Sequence, residues 1–168
     1  MKKIISIASL LFLIFTLSAC SGNTKSQIIA AEAGYTCEGL VRYGENFSSN
    51  ITVKAVGGGI FSLVINTPED IAGLTFAFDN NDLMIMYNGL EYKEPLSPEY
   101  GGFAEILNEI FLKFTTSRPT ILSKDGRYLY EGNNSKYSYD VIFNEAGFPL
   151  SVTVDDKNLT VTFSNWKY

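Results

Sequence analysis

The chain of 168 residues contains no histidine. That absence excludes Ser-His-Asp and Cys-His catalysis, histidine-ligated zinc and a histidine proton switch together, because each depends on an imidazole. Cysteine is almost as scarce, with only Cys20 and Cys37. Basic residues are also outnumbered: 13 Lys and Arg stand against 18 Asp and Glu, a formal net charge of -5. Affinity for nucleic acid rests on neutralising phosphates with Lys and Arg, so no nucleic-acid partner is expected. The longest apolar stretch, Ile4 to Phe15, is shorter than the roughly 20 residues a transmembrane helix needs.

What is present at the N-terminus is ordered in a recognisable way. Lys2 and Lys3 precede the apolar stretch, and Leu17-Ser18-Ala19-Cys20 closes it. Small residues leading to a cysteine resemble a bacterial lipobox, which differs from an ordinary secretory cleavage site in making the cysteine the acceptor of a lipid. The resemblance implies export, diacylglyceryl transfer to the Cys20 thiol, cleavage before it, palmitate or a similar acyl group on the mature terminus, and anchorage at an extracytoplasmic face of a bacterial membrane. Residues 1–19 are then a signal peptide, and 20–34 a lipidated cysteine with a tether. In that segment Ser26 is placed to cap a short helix from Gln27 to Ala33, with Gly34 in the stopping position. Residues 35–168 form one domain.

Without residues 1–19 the chain has 149 residues, enough for a single core. The leader holds two of the 13 basic residues and no acid, so 11 cations face 18 anions and the mature charge falls to -7. An anionic membrane surface repels such a domain, consistent with a body held away from the bilayer by Ser21-Gly22-Asn23-Thr24-Lys25. With Cys20 acylated, Cys37 has no disulfide partner. It lies in an alternating strand pattern with no neighbouring base or cation to activate it, and reads as a small core residue.

From Tyr35 onward β-branched and aromatic residues dominate, with Gly, Asn and Asp at short intervals. The pattern predicts strands near 35–43, 47–56, 60–66, 73–79, 82–88, 90–93, 127–131, 136–143, 148–154 and 159–166. Asn80-Asn81 suits a type I′ turn, because Asn tolerates positive φ. That register stacks Phe78 with Leu83, Phe76 with Ile85 and Leu74 with Tyr87 on one face, and Ala77 with Met84 and Thr75 with Met86 on the other. Both faces are apolar, so a cover for the Met84 and Met86 face is expected. A later hairpin sets Leu150, Val152 and Val154 against Leu159, Val161 and Phe163, with Ser and Thr on its wet face.

Phe103, Ile106, Leu107, Ile110, Phe111 and Phe114 recur at helical spacing, with Glu105, Asn108, Glu109 and Lys113 opposite them. This predicts an amphipathic helix laid on the sheet. Other chemistry-bearing residues resolve into ordinary structure. Glu91, Glu94 and Glu99 lack any feature that would raise one pKa for acid catalysis, and read as solvated surface. Gly57-Gly58-Gly59 joins two strands without the following helix or Lys of a phosphate loop. Asp155-Asp156-Lys157-Asn158 is a polar turn with too few oxygen ligands for calcium. Neither catalytic residues, metal ligands nor a cofactor are expected.

The order Pro68-Glu69-Asp70, Gly73-Leu74-Thr75-Phe76, Tyr87-Asn88-Gly89-Leu90, the helix, Tyr139-Asp140-Val141, Gly147-Phe148-Pro149-Leu150 and Val161-Thr162-Phe163-Ser164-Asn165 resembles the LolA/LolB/LppX-like superfamily of lipoprotein carriers over Tyr35 to Tyr168. The resemblance implies a mainly β (α+β) fold: a strongly curved antiparallel sheet, an open half-barrel with a covering helix. It also implies a non-enzymatic protein that binds a lipid or acyl moiety between sheet and helix. Met84, Met86, Ile106, Ile110 and Phe111 are the expected cavity lining. The other expectation is an accessory lipoprotein that binds another cell-envelope protein through an exposed aromatic patch near Tyr128, Tyr130, Tyr137 and Tyr139, with no ligand cavity.

Overall fold

Alternation of apolar and polar residues gives most strands an apolar side, and these sides line one face of a single antiparallel sheet, which has eleven strands among the described residues. A computed structural model describes residues 34–56, 60–79, 82–95, 102–116, 122–124 and 127–168. The leader, Cys20, the tether and the expected Gln27–Ala33 helix lie outside the described residues, as do Asn80-Asn81 and Gly57-Gly58-Gly59. The strands are β1 (Tyr35–Tyr43), β2 (Phe47–Val56), β3 (Ile60–Ile65), β4 (Thr75–Asp79), β5 (Asp82–Tyr87), β6 (Leu90–Pro95), β7 (Leu122–Lys124), β8 (Arg127–Asn133), β9 (Ser138–Phe143), β10 (Pro149–Val154) and β11 (Leu159–Lys167). Among the described residues one α-helix, α1 (Phe103–Thr116), falls between β6 and β7.

The spatial order is β6-β5-β4-β3-β2-β1-β11-β10-β9-β8-β7. Two meanders of neighbouring hairpins therefore run away from a central pair, β1 and β11, which joins the two ends of the domain. The sheet is open, with β6 and β7 as its edges. Thr75↔Met86, Phe76↔Ile85, Ala77↔Met84 and Phe78↔Leu83 pair as the two-residue turn predicts. β7 was not expected, because three residues are too few to show an alternation.

Two bulges adjust the inner face. On β11 the apolar spacing changes from two to three between Phe163 and Trp166, and Asn165 takes φ 54° where the β1 register shifts. The extra residue returns Trp166 to the inner side, where its ring meets Tyr35 at 5.1 Å, and Asn165 donates to the Glu38 carboxylate at 2.6 Å. On β10 the register slips between Pro149 and Ser151. Pro149 has no N–H for the ladder, and the slip leaves Leu150 41% exposed while Phe148 and Pro149 are buried. The expectation that Leu150 joins Val152 and Val154 inside is thereby corrected.

The curled sheet wraps α1 on its concave side. Phe103 meets Phe47 at 5.3 Å and Tyr43 at 6.0 Å; Phe111 meets Phe163 at 5.6 Å and Phe61 at 5.7 Å; Phe114 meets Phe143 at 5.3 Å and Tyr130 at 5.6 Å. One helix thus touches strands from both meanders. Near the centre of the sheet Gly39 leaves room for its neighbour on β2: it pairs with Phe163 and Ile51, and a methyl there would sit 3.0 Å from the Ile51 side chain. The wrapping also alters the helix's polar side. Asn108 is buried and Glu105 and Lys113 are half-buried, and Tyr137 of the β8–β9 connection reaches the exposed Glu109.

Candidate functional site

The connection between β8 and β9 begins with an Asn that builds its own turn. The Asn134 side-chain oxygen accepts from the backbone N–H groups of Lys136 at 2.8 Å and Tyr137 at 2.9 Å. This directs Tyr137 towards α1, where its hydroxyl donates to the Glu109 carboxylate at 2.6 Å. The Asn134 amide donates to the same carboxylate oxygen at 3.2 Å. One turn further along the helix, Lys113 donates to the Asn133 carbonyl at 2.7 Å and lies 5.5 Å over the Tyr139 ring. Glu109 and Lys113, one turn apart on α1, together clamp a hairpin tip to the helix. Lys136 approaches Glu109 at 3.6 Å, an exposed pair of small energetic weight.

Beside this clamp is a pocket of about 250 Å³ lined by Glu109, Ile110, Leu112, Lys113, Asn134, Tyr137 and Tyr139. Its walls are an aliphatic pair from α1 and two aromatic rings, and its polar groups are those of the clamp. Burial pushes the Tyr137 hydroxyl well above the ordinary phenol range, and the hydrogen bond to Glu109 adds to it. Burial likewise raises Tyr139. Both therefore remain neutral phenols at any physiological pH, suited to packing and hydrogen-bond donation rather than proton transfer. Glu105, in the first turn of α1, has its carboxyl raised chiefly by burial, opposed by the Gly102 backbone N–H.

Tyr139 owes its position to Gly132. The two residues are paired across β8 and β9, and a methyl at Gly132 would run into the Tyr139 ring. With Lys113 over that ring, it has little room to retreat. Gly132→Ala is therefore expected to lower stability by about 1–3 kcal/mol through overpacking. The midpoint of urea unfolding measures this, and an unchanged midpoint would show that the ring does not rest on the glycine.

The structure disperses the expected cavity lining. All three helix residues are buried in the core, Ile110 at 1%, Ile106 at 3% and Phe111 at 7% exposure, and of them Ile110 alone also borders the pocket. Met84 and Met86 pair with Ala77 and Thr75, on the sheet face opposite Phe76, Phe78, Leu83 and Ile85. They cannot share a cavity with the helix, and the reason is parity: strand neighbours point to opposite faces, and the helix took the Phe face. The tyrosines also depart from an exposed patch. Tyr137 and Tyr139 are buried and Tyr128 and Tyr130 are half-buried, since their alternation belongs to the concave face. Leu112, off the helical stripe, and Asn134 gave no sequence signal for a pocket; Asn134 carried only that of a turn. Cys37 is buried, and burial pushes its thiol up to about 12, which suits a core residue and not a nucleophile.

No protein-family model matches the sequence, and no curated protein matches it. Solved structures do share its fold. An uncharacterized conserved protein from Thermus thermophilus is 8% identical, with 84% of this chain and 82% of that one covered at a TM-score of 0.52. A LolA superfamily protein from Nitrosomonas europaea is 13% identical, with 85% of this chain and 89% of that one covered, also at 0.52. The chain has a LolA-like fold, an open antiparallel half-barrel around a helix.

Proposed function

We propose that the chain is a non-enzymatic, extracytoplasmic lipoprotein, anchored through Cys20, that receives an acyl moiety between α1 and the β8–β9 side of the half-barrel. The observation that carries this reading is the pocket of about 250 Å³ beside Ile110, Leu112, Tyr137 and Tyr139. Its apolar walls suit a hydrocarbon, and its polar rim suits a carboxyl or ester at the water's edge. Ligand pockets commonly measure about 300–1,000 Å³, so the resting space admits the end of a chain. Deeper entry then requires α1 to shift, which the clamp of Glu109 and Lys113 on the hairpin tip opposes. The lipobox pattern and the LolA-like fold support the same reading.

Leu112→Trp tests it. Leu112 is half-buried at the pocket wall, so an indole there is expected to occupy the ligand's space while the fold persists. Titration with a fluorescent fatty acid should give saturable binding to the wild type and at least tenfold weaker binding to the variant, at similar unfolding midpoints. Equal binding by both would rule out this pocket. The second reading, a module that binds another envelope protein without a cavity, is favoured by the aromatic filling of the concave face around Phe103, Phe111 and Phe114. A wild type that is folded and binds no fatty acid would establish that reading over the first.

A further inference from the structure

The edge strand β6 has features that neither the helix nor the pocket uses. It pairs with β5 on one side, and among the described residues no strand pairs with its other side. Leu90 and Tyr92 are 75% and 59% exposed. The direction of its unpaired backbone groups follows from the turn before it. Asn88 and Gly89 have φ 50° and 80°, the two positive values of a type I′ turn, whose flanking residues Tyr87 and Leu90 exchange hydrogen bonds. Alternation then turns the backbone groups of Leu90, Tyr92 and Glu94 towards β5, and those of Glu91 and Lys93 outwards.

We propose that β6 is a self-complementary interface on which two copies of this chain pair antiparallel, edge to edge, with Tyr92 on the two-fold axis. An antiparallel partner strand must bond to Glu91 and Lys93; a register centred on Glu94 would set Lys93 against the partner's Pro95, which has no N–H, and three other registers are centred within the strand. One sets Glu91 against the partner's Glu91. Another sets Lys93 against the partner's Lys93, and Glu91 against the partner's Pro95, which has no N–H. The third sets Glu91 against the partner's Lys93 and Lys93 against the partner's Glu91, with opposite charges paired on one face and tyrosines adjacent on the other. Only the third satisfies both charge and backbone. It is isologous, so two edges close on each other and no fibre propagates. Lys93 bridges Asp82 at 2.7 Å within its own chain, but the lysine side chain is well exposed and the aspartate partly so, and the ammonium can be shared with the partner's Glu91. Lys93 and Pro95 also protect an edge from indiscriminate pairing, which leaves this register as the permitted one.

With Tyr92 on the axis the five residues 90–94 of each copy face one another, a small interface, so the dimer is weak and is best trapped covalently. In the proposed register the two copies of residue 92 form a non-hydrogen-bonded pair with Cα atoms about 4.5 Å apart, within disulfide range. In the purified full chain, Tyr92→Cys should give a reducible dimer under mild oxidation, whereas Leu90→Cys, displaced from the axis, and the wild type should not. Adding Glu91→Lys or Lys93→Glu to Tyr92→Cys should each abolish the cross-link. Mixing those two charge variants should restore it, because every facing pair is then Lys against Glu; the restoration also shows that both are folded. Cross-linking of Leu90→Cys as strong as that of Tyr92→Cys, or insensitivity to charge reversal, would overturn the proposal.

Discussion

Phe111→Ala is expected to cost about 3–5 kcal/mol of stability, the range for removing a buried aromatic ring from a core. The ring is 7% exposed and contacts Tyr35, Phe61, Phe114 and Phe163, at centroid distances of 6.2, 5.7, 6.1 and 5.6 Å. These partners come from β1, β3, α1 and β11, so a cavity here would lie where both meanders meet the helix and could not close by moving one element. Domains of this size have only about 5–15 kcal/mol in total, so the variant should lose a large share of its unfolding free energy in urea. Leu112→Ala, at a half-buried position one residue along, should cost distinctly less. Similar small shifts for both would show that α1 is not seated in the concave face.

Cys20→Ser is expected to abolish membrane anchorage. On the proposed reading the thiol is the acyl acceptor, and each buried methylene of the attached chains would contribute about 0.8 kcal/mol, so several acyl chains would hold a protein that a single chain would release. A hydroxyl cannot take that role, and the product should be an uncleaved precursor or a soluble form. Intact mass and membrane fractionation read both outcomes. The net charge of -7 left after the leader gives no electrostatic hold on an anionic bilayer, so washing with salt should not release the wild type, whereas detergent should. If the variant is processed to the same length as the wild type and remains in the membrane fraction, Cys20 is not the anchor.

Much of the fold is legible because it is local. β1 and β2 occupy the spans that alternation predicts, and the β4–β5 register follows from a two-residue gap between two apolar runs. Each hairpin is stabilised by residues close in sequence, and turn chemistry sets its register before any distant contact forms. The helix is legible for the same reason, through the spacing of Phe103, Ile106, Leu107, Ile110, Phe111 and Phe114. The candidate site is much less so. Ile110 lies on the stripe and was expected to line a cavity, but the same periodicity holds for Ile106 and Phe111, which are core. Periodicity identifies an apolar residue and not what stands opposite it.

By itself the sequence determined the composition limits, the order of every described strand but β7, the amphipathic helix and the pattern around Cys20, because each depends on residue type or on neighbours along the chain. Tertiary structure alone decided which face of the Phe76 and Met84 hairpin the helix covers, since both faces are apolar and only the direction of sheet curl distinguishes them. It also decided the pairing of β1 with β11, which joins residues more than a hundred positions apart and was stated by no local signal. The clamp has the same origin. Glu109 and Lys113 are one helical turn apart and suit each other, yet the curled sheet brings Tyr137, Asn134 and the Asn133 carbonyl within reach, and these outcompete an exposed pair whose own attraction water largely screens.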